Sequence, residues 1–393
     1  MREAVIVDAM RTPVGRRGGA LADWKATDLL AVTLQQLVQR AGVAPERLDD
    51  VIAGCGLQSG EQAGNVARWA SLGAGLPETL PGMTIDRQCG SGQQAVHLAA
   101  QGVRSGEFNF AIGCGVETMS RIDLGPSFNP AGGLGPWYGE RALARFAGNL
   151  MAQGPSAELV TRQWGLTREE LDAYSMRSHQ RAKAAWDAGC FDRQLVSIDG
   201  RRPEGGPAPM RRDEGIRPET TMERLAQLKP VFAPDGLITA GNSSQISDGA
   251  AAVLVADRAT AEAMGLRPLA VIRSMAVAAD DARLQFTAIL PAARKALAQA
   301  GLGIHDIGRI EINEAFACAP LIFAREFDVD PARLNINGGS IAMGHPIGST
   351  GARLMCDLAH ELQRSGERYG LLTICEGGGM ANATILERID QTH

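Results

Sequence analysis

The two ends of this chain repeat each other. Residues 34–42 end in Arg40-Ala41-Gly42 and lead to the apolar Asp50-Val51-Ile52; residues 293–301 end in Gln299-Ala300-Gly301 and lead to Arg309-Ile310-Glu311. The offset is 301 − 42 = 259. Farther on, Arg104-Ser105-Gly106-Glu107 recurs as Arg364-Ser365-Gly366-Glu367, an offset of 364 − 104 = 260. A helical segment precedes each copy (91–103 and 350–363) and an apolar strand follows (108–112 and 369–374). A nearly constant offset across successive elements predicts duplicated βαβ-rich halves. Strands alternating with helices of 10–15 residues predict an α/β protein with mostly parallel sheets covered by helices.

The texture changes between the repeats. Gly/Pro-rich stretches at 126–136 and 203–218 read as loops. One strong helix interrupts them: Thr167-Arg168-Glu169-Glu170 has the form of a capping box, and Leu171, Tyr174, Ala182 and Trp186 follow at helical spacing. Small apolar residues from Ser247 to Val255 then read as a buried strand. The expected organisation is a first half, 1–118 plus 242–268, a segment inserted into it, 119–241, and a second half, 269–393.

Two cysteines and a histidine stand among glycines: Cys89-Gly90-Ser91-Gly92, Gly344-His345-Pro346, and Cys375-Glu376-Gly377-Gly378-Gly379. That set suits acyl transfer through a thioester, with an attacking thiolate, glycine amides for an oxyanion, and a second group for a carbon-bound proton. Cys89 falls between a strand near 82–87 and a helix from Ser91, where the helix dipole favours thiolate. Pro346 fixes the turn that aims His345. Asn313 ends the strand 309–312, placed to orient a water or a histidine; Glu314 beside it reads as a helix-start carboxylate. Cys318 and Cys356, in apolar helical stretches, read as core, and so do His179 and His360.

Composition narrows the classes. Seven scattered cysteines with no C-x-x-C pair argue against a disulfide framework and a structural zinc site, so no metal is expected. A net charge of −5 with 5% aromatics gives no nucleic-acid footprint. No run approaches the roughly 18 apolar residues of a membrane span, and the strand-like residues 1–8 give no leader, so a cytoplasmic protein is expected.

The chain resembles the thiolase family, the coenzyme-A-dependent acyltransferases that make or cleave 3-ketoacyl thioesters, from Val5 to about Glu387. The motifs are Asp8-Ala9-Met10-Arg11-Thr12-Pro13-Val14-Gly15, Cys89-Gly90-Ser91-Gly92, Thr239-Ala240-Gly241-Asn242-Ser243-Ser244, Asn313-Glu314-Ala315-Phe316-Ala317, Asn337-Gly338-Gly339 through Gly344-His345-Pro346 to Gly348, and the Cys375 cluster.

The resemblance implies a thiolase fold of two βαβαβαββ halves in an α/β/α/β/α core. The inserted loop domain would bind coenzyme A and the acyl group. It implies Cys89 as the acylated nucleophile, His345 as its activator, Asn313 as the residue positioning a water, and Cys375 as the acid–base at the acetyl α-carbon. The amides of Cys89 and Gly377 form a second oxyanion hole, and Ser244 and Arg217 contact coenzyme A. The resemblance also implies coenzyme A and acyl-CoA as co-substrates, no permanently bound cofactor, and a homodimer or homotetramer.

There are departures: Glu376 follows Cys375, and Met380-Ala381 stands where many members have another glycine. In Asn149-Leu150-Met151-Ala152, Leu150 replaces the histidine of acetoacetyl-specific members. That predicts a 3-ketoacyl-CoA thiolase of fatty-acid or related degradation; the alternative is a biosynthetic acetyl-CoA acetyltransferase. Cys375 argues against a decarboxylating ketosynthase, and Cys89 with His345 against a silent thiolase-like carrier.

Overall fold

The computed structural model describes residues 2–124, 138–201 and 205–390. The predicted loop 126–136 lies outside the described residues, as do 203 and 204 of the loop 203–218.

The first half runs β1 (Ala4–Arg11), the short β2 (Gly15–Arg16), a helix Ala26–Ala41, β3 (Asp50–Gly54), a helix Val66–Gly73, β4 (Gly82–Ile85), a helix Ser91–Ser105 and β5 (Phe110–Thr118). Helices Gln153–Gln163 and Arg168–Asp187 follow, with a small ribbon of β6 (Asp199–Arg201) and β7 (Pro207–Pro209), before β8 (Ser247–Asp257) completes that half's strands. The second half runs β9 (Ala270–Ala279), a helix Ile289–Ala300, β10 (Arg309–Ile312), helices Cys318–Phe327 and Ile347–Ser365, then β11 (Tyr369–Glu376) and β12 (Met380–Arg388).

The repeat is therefore structural. Helices Ala26–Ala41 and Ile289–Ala300 both end on a left-handed glycine, Gly42 and Gly301. The helices Ser91–Ser105 and Ile347–Ser365 do the same at Gly106 and Gly366. A residue with positive φ closes a helix C-terminus at little cost only when it lacks Cβ. The matched glycines are thus matched helix stops.

The strand order is β10-β11-β12-β9-β1-β8-β5-β3-β4, with β2 on β8. The two halves meet through a short ladder, Val5 opposite Val271 and Ile6 opposite Ala270. One strand of the repeat is almost lost: in the second half its place is taken by Leu334, which makes an isolated parallel bridge to Ile310.

The expectation of mostly parallel sheets is corrected. Among the strand pairs of the described residues, only β3–β4, β3–β5 and β10–β11 are parallel, and the middle of the sheet is antiparallel. The three glycines 377–379 turn β11 directly into β12, and a connection that short joins only antiparallel strands.

Three apolar clusters give the layering. Alternate β1 and β8 residues (Val5, Val7, Ala252, Leu254) pack under the outer helices of the first half. Their neighbours (Ala4, Ile6, Val253, Val255) pack on helices Ser91–Ser105 and Ile347–Ser365, as do Leu372 and Ile374 of β11. Helices Ile289–Ala300 and Cys318–Phe327 cover the outer side of the second half. The two central helices approach so closely that a Cβ on Gly351 would lie 2.2 Å from the Gln93 nitrogen, and one on Gly92 would lie 2.7 Å from the Gly348 oxygen.

Candidate active site

That helix crossing builds the site. Gly92 lies three residues after Cys89, and Gly348 lies three after His345. Their contact therefore brings the turns carrying both residues to one place. Cys89 sits in the turn Gln88–Gly90, where Gln88 adopts φ +49. His345 precedes Pro346, the N-cap of the second central helix. The His345 backbone N–H is tied to the Gln245 carbonyl (3.1 Å) and the Ser247 hydroxyl (3.3 Å).

Hydrogen bonding decides the histidine tautomer. The Thr350 hydroxyl donates to the Pro346 carbonyl at 2.8 Å, so toward His345 Nδ1, 2.7 Å away, it can only accept. Nδ1 therefore carries the proton, and Nε2 presents a lone pair, 3.4 Å from Asn313 Nδ2. Burial, with Arg353 adding to it, pushes His345 down to about 3, so the ring is a neutral base at physiological pH.

Cys89 is buried, and its thiol is pushed up to about 12, first by desolvation and then by Glu376. This corrects the expectation of a resting thiolate: desolvation outweighs the helix terminus, and the sulfur needs a base. Gln153, the first residue of its helix, and the Cys89 amide favour the thiolate. Cys375, next to last in β11, is also held well above the usual thiol range, by burial first and then by Cys89. Cys375 thus feels the charge that Cys89 carries as a thiolate.

Gly377 opens the glycine loop beside Gln88; a Cβ there would meet Gln88 Oε1 at 3.2 Å. Gln285 links that loop to the inserted segment, accepting from the Gly378 N–H (3.3 Å) and donating to the Met151 carbonyl (2.7 Å). Ser244 donates its backbone N–H to the Ala315 carbonyl, two residues from Asn313. Arg217 is exposed, and its backbone N–H donates to His179. No hydrogen bond joins Arg217 to the other candidates among the described residues. Glu314 is structural: it accepts from Tyr174, Ser178, Asn335 and the Ile341 N–H.

Sequence reasoning missed three residues. Glu117 of β5 accepts from the Gly56 and Gly348 amides, at 2.8 and 2.9 Å, so the first half holds the helix terminus next to His345. Gln153 has its amide nitrogen buried without a hydrogen-bond partner and favours the Cys89 thiolate. Glu376, singled out only as a departure, packs on Gly90. Burial raises its carboxyl well above the usual range. A glutamine opening a helix after the loop was the available signal for Gln153; contacts between distant segments left none for the others. Among the described residues, no group of three or more His, Cys, Asp or Glu is placed to hold a metal ion, and no helix is long and apolar enough to cross a membrane.

A buried thiol, a neutral imidazole with its lone pair at Nε2 and a second thiol define a site for acyl transfer on a duplicated α/β scaffold. Profiles described as "Thiolase, N-terminal domain" and "Thiolase, C-terminal domain" match residues 4–259 and 266–388. The chain belongs to the thiolase family and is an acyltransferase with the thiolase fold. It is 44% identical to the steroid 3-ketoacyl-CoA thiolase FadA6 of Mycobacterium tuberculosis, over 99% of this chain and 95% of that protein. Among solved structures it resembles the Bacillus anthracis acetyl-CoA acetyltransferase (TM-score 0.90, 38% identity, 99% of each chain). It also resembles human mitochondrial 3-ketoacyl-CoA thiolase (TM-score 0.89, 36% identity, 99% of each chain).

Proposed function

We propose that this thiolase cleaves 3-ketoacyl-CoA with coenzyme A, through an acyl group carried on Cys89. The observation that carries the reading is the meeting of the Cys89 and His345 turns at the Gly92–Gly348 contact. His345 Nε2 takes the thiol proton as sulfur attacks the 3-keto carbon. The C2–C3 bond breaks, acetyl-CoA leaves as its enolate, and Cys375 protonates the α-carbon. Coenzyme A then gives its thiol proton to the Cys375 thiolate, its sulfur attacks the acyl carbon, and Cys89 leaves as a thiol with the proton held by His345. Once protonated, His345 donates from Nε2 beside the Asn313 amide, so two N–H groups can converge on one oxygen, directly or through a water. The Cys89 and Gly377 amides serve the other oxyanion.

Coenzyme A enters as a co-substrate held by Ser244 and Arg217, with no permanent cofactor. The working division is 1–118 plus 242–268, an insertion 119–241 that binds coenzyme A and the acyl group, and 269–393. A homodimer or homotetramer in the cytoplasm completes the reading; edge strand β4, with Met83 exposed on it and Trp69 exposed nearby, supports self-association.

The test is thiolysis by the purified protein over a chain-length series. Phe146, Leu150 and Met151 offer half-buried apolar surface on the inserted segment. Each further buried methylene contributes up to about 0.8 kcal/mol, roughly fourfold in affinity. kcat/KM is expected to rise from the four-carbon to a six- or eight-carbon 3-ketoacyl-CoA. A steep fall beyond four carbons would make the protein an acetoacetyl-CoA specialist, and no thiolysis at any length would overturn the reading.

A further inference from the structure

A string of buried polar groups ends at the imidazole. Asp213 of the insertion pairs with both Arg11 amino groups, at 2.9 and 3.2 Å. Arg11 Nε donates to Asp357 at 3.0 Å, and Arg353 Nη1 donates to the other Asp357 oxygen at 3.0 Å. Arg353 Nη2 donates to the Ser340 hydroxyl at 3.0 Å, and that hydroxyl donates to Asn313 Oδ1 at 2.7 Å. Asn313 Nδ2 faces His345 Nε2. Arg353 and Thr350 lie one helical turn apart on the same helix, so one helix face governs both sides of the ring.

We propose that Arg353, acting through the Ser340 hydroxyl, is a positioning residue that locks the Asn313 amide with its N–H edge toward the reacting acyl oxygen. The inference rests on the roles given above to Asn313 and His345. The logic is one of donors. A guanidinium has no acceptor, so Ser340 must accept from it and spend its single proton on Asn313. That makes the Asn313 oxygen the acceptor and turns its N–H₂ toward His345. An unheld amide can present its oxygen instead, which repels a developing oxyanion. The cation has a second effect: it disfavours the imidazolium, and burial acts the same way. The charged groups around it are Asp357 on its own helix, Glu311 on β10, Arg11 on β1 and Asp213 of the insertion.

The test compares Ser340→Ala, Arg353→Met, their double variant and Asn313→Ala in the full-length protein, by acetoacetyl-CoA thiolysis from pH 5 to 9. Ser340→Ala is expected to lower kcat about five- to tenfold, with the KM for coenzyme A within about twofold and kcat/KM as flat toward pH 5 as in the wild type, because the cation remains and His345 stays neutral there. Arg353→Met is expected to lower kcat at least as far and to make kcat/KM fall off toward pH 5, where the wild type stays flat, since His345 then protonates more readily. The double variant should be no slower than Arg353→Met. Wild-type kcat in Ser340→Ala, or losses that multiply in the double variant, would overturn the proposal. Should Arg353→Met fail to fold, Ser340→Ala decides, because it leaves the ion pairs intact. Wild-type turnover in Asn313→Ala would overturn the assigned role of Asn313 itself; a large loss there beside a wild-type Ser340→Ala would sink the positioning role alone.

Discussion

A cysteine whose thiol stands near 12 holds almost no thiolate at neutral pH, so reactivity at Cys89 depends on a base. His345, held down to about 3, is neutral and available over the whole working range. Alkylation of Cys89 by iodoacetamide at pH 8, followed by peptide mass, is therefore expected to slow at least about tenfold in His345→Ala. Equal rates would show that His345 is not the base. Cys89, His345, Cys375 and Asn313 stand out as candidates in the sequence because each sits in a short motif whose neighbours announce a turn or a strand end. Gln153 went unnoticed because its aim depends on where the helix begins, and the helix begins at Gln153. The resting thiolate was misjudged because a helix terminus is visible in sequence, whereas the depth of burial is not. Ser340, Arg353 and Glu117 act across separations of 13 to 231 residues, and no local pattern reports such contacts.

At the scale of elements, the 259-residue offset read correctly because glycine helix stops are local chemistry. The third strand of the second half shrank to a single bridge at Leu334, and sequence periodicity alone does not count ladder bonds. At the helix crossing the glycines are required by space, because no side chain fits between the backbones. Gly351→Ala should force the central helices apart. Overpacking costs about 1–3 kcal/mol, so the thermal midpoint should drop. Turnover should fall further than the unfolded fraction explains, because the Cys89 and His345 turns separate. Gly139→Ala, at an open position with ordinary φ, is the control and should change neither. A Gly351→Ala protein with wild-type melting and turnover would show that the crossing does not hold the site.

Across the whole molecule, the proposed mechanism divides the chemistry between the two halves. It takes the nucleophile from the first, whose Glu117 also steadies the helix that follows His345. It takes the base, its amide partner and the second thiol from the second. The insertion touches both, through Met151 on Gln285 and Asp213 on Arg11. All of this assumes that the acyl group is carried by Cys89. The most direct measurement is peptide mass mapping of the protein after incubation with acetyl-CoA. The account predicts one acetyl group, on the peptide containing Cys89 and absent from Cys89→Ala. Acetyl on another residue, or labelling that persists in Cys89→Ala, would contradict it.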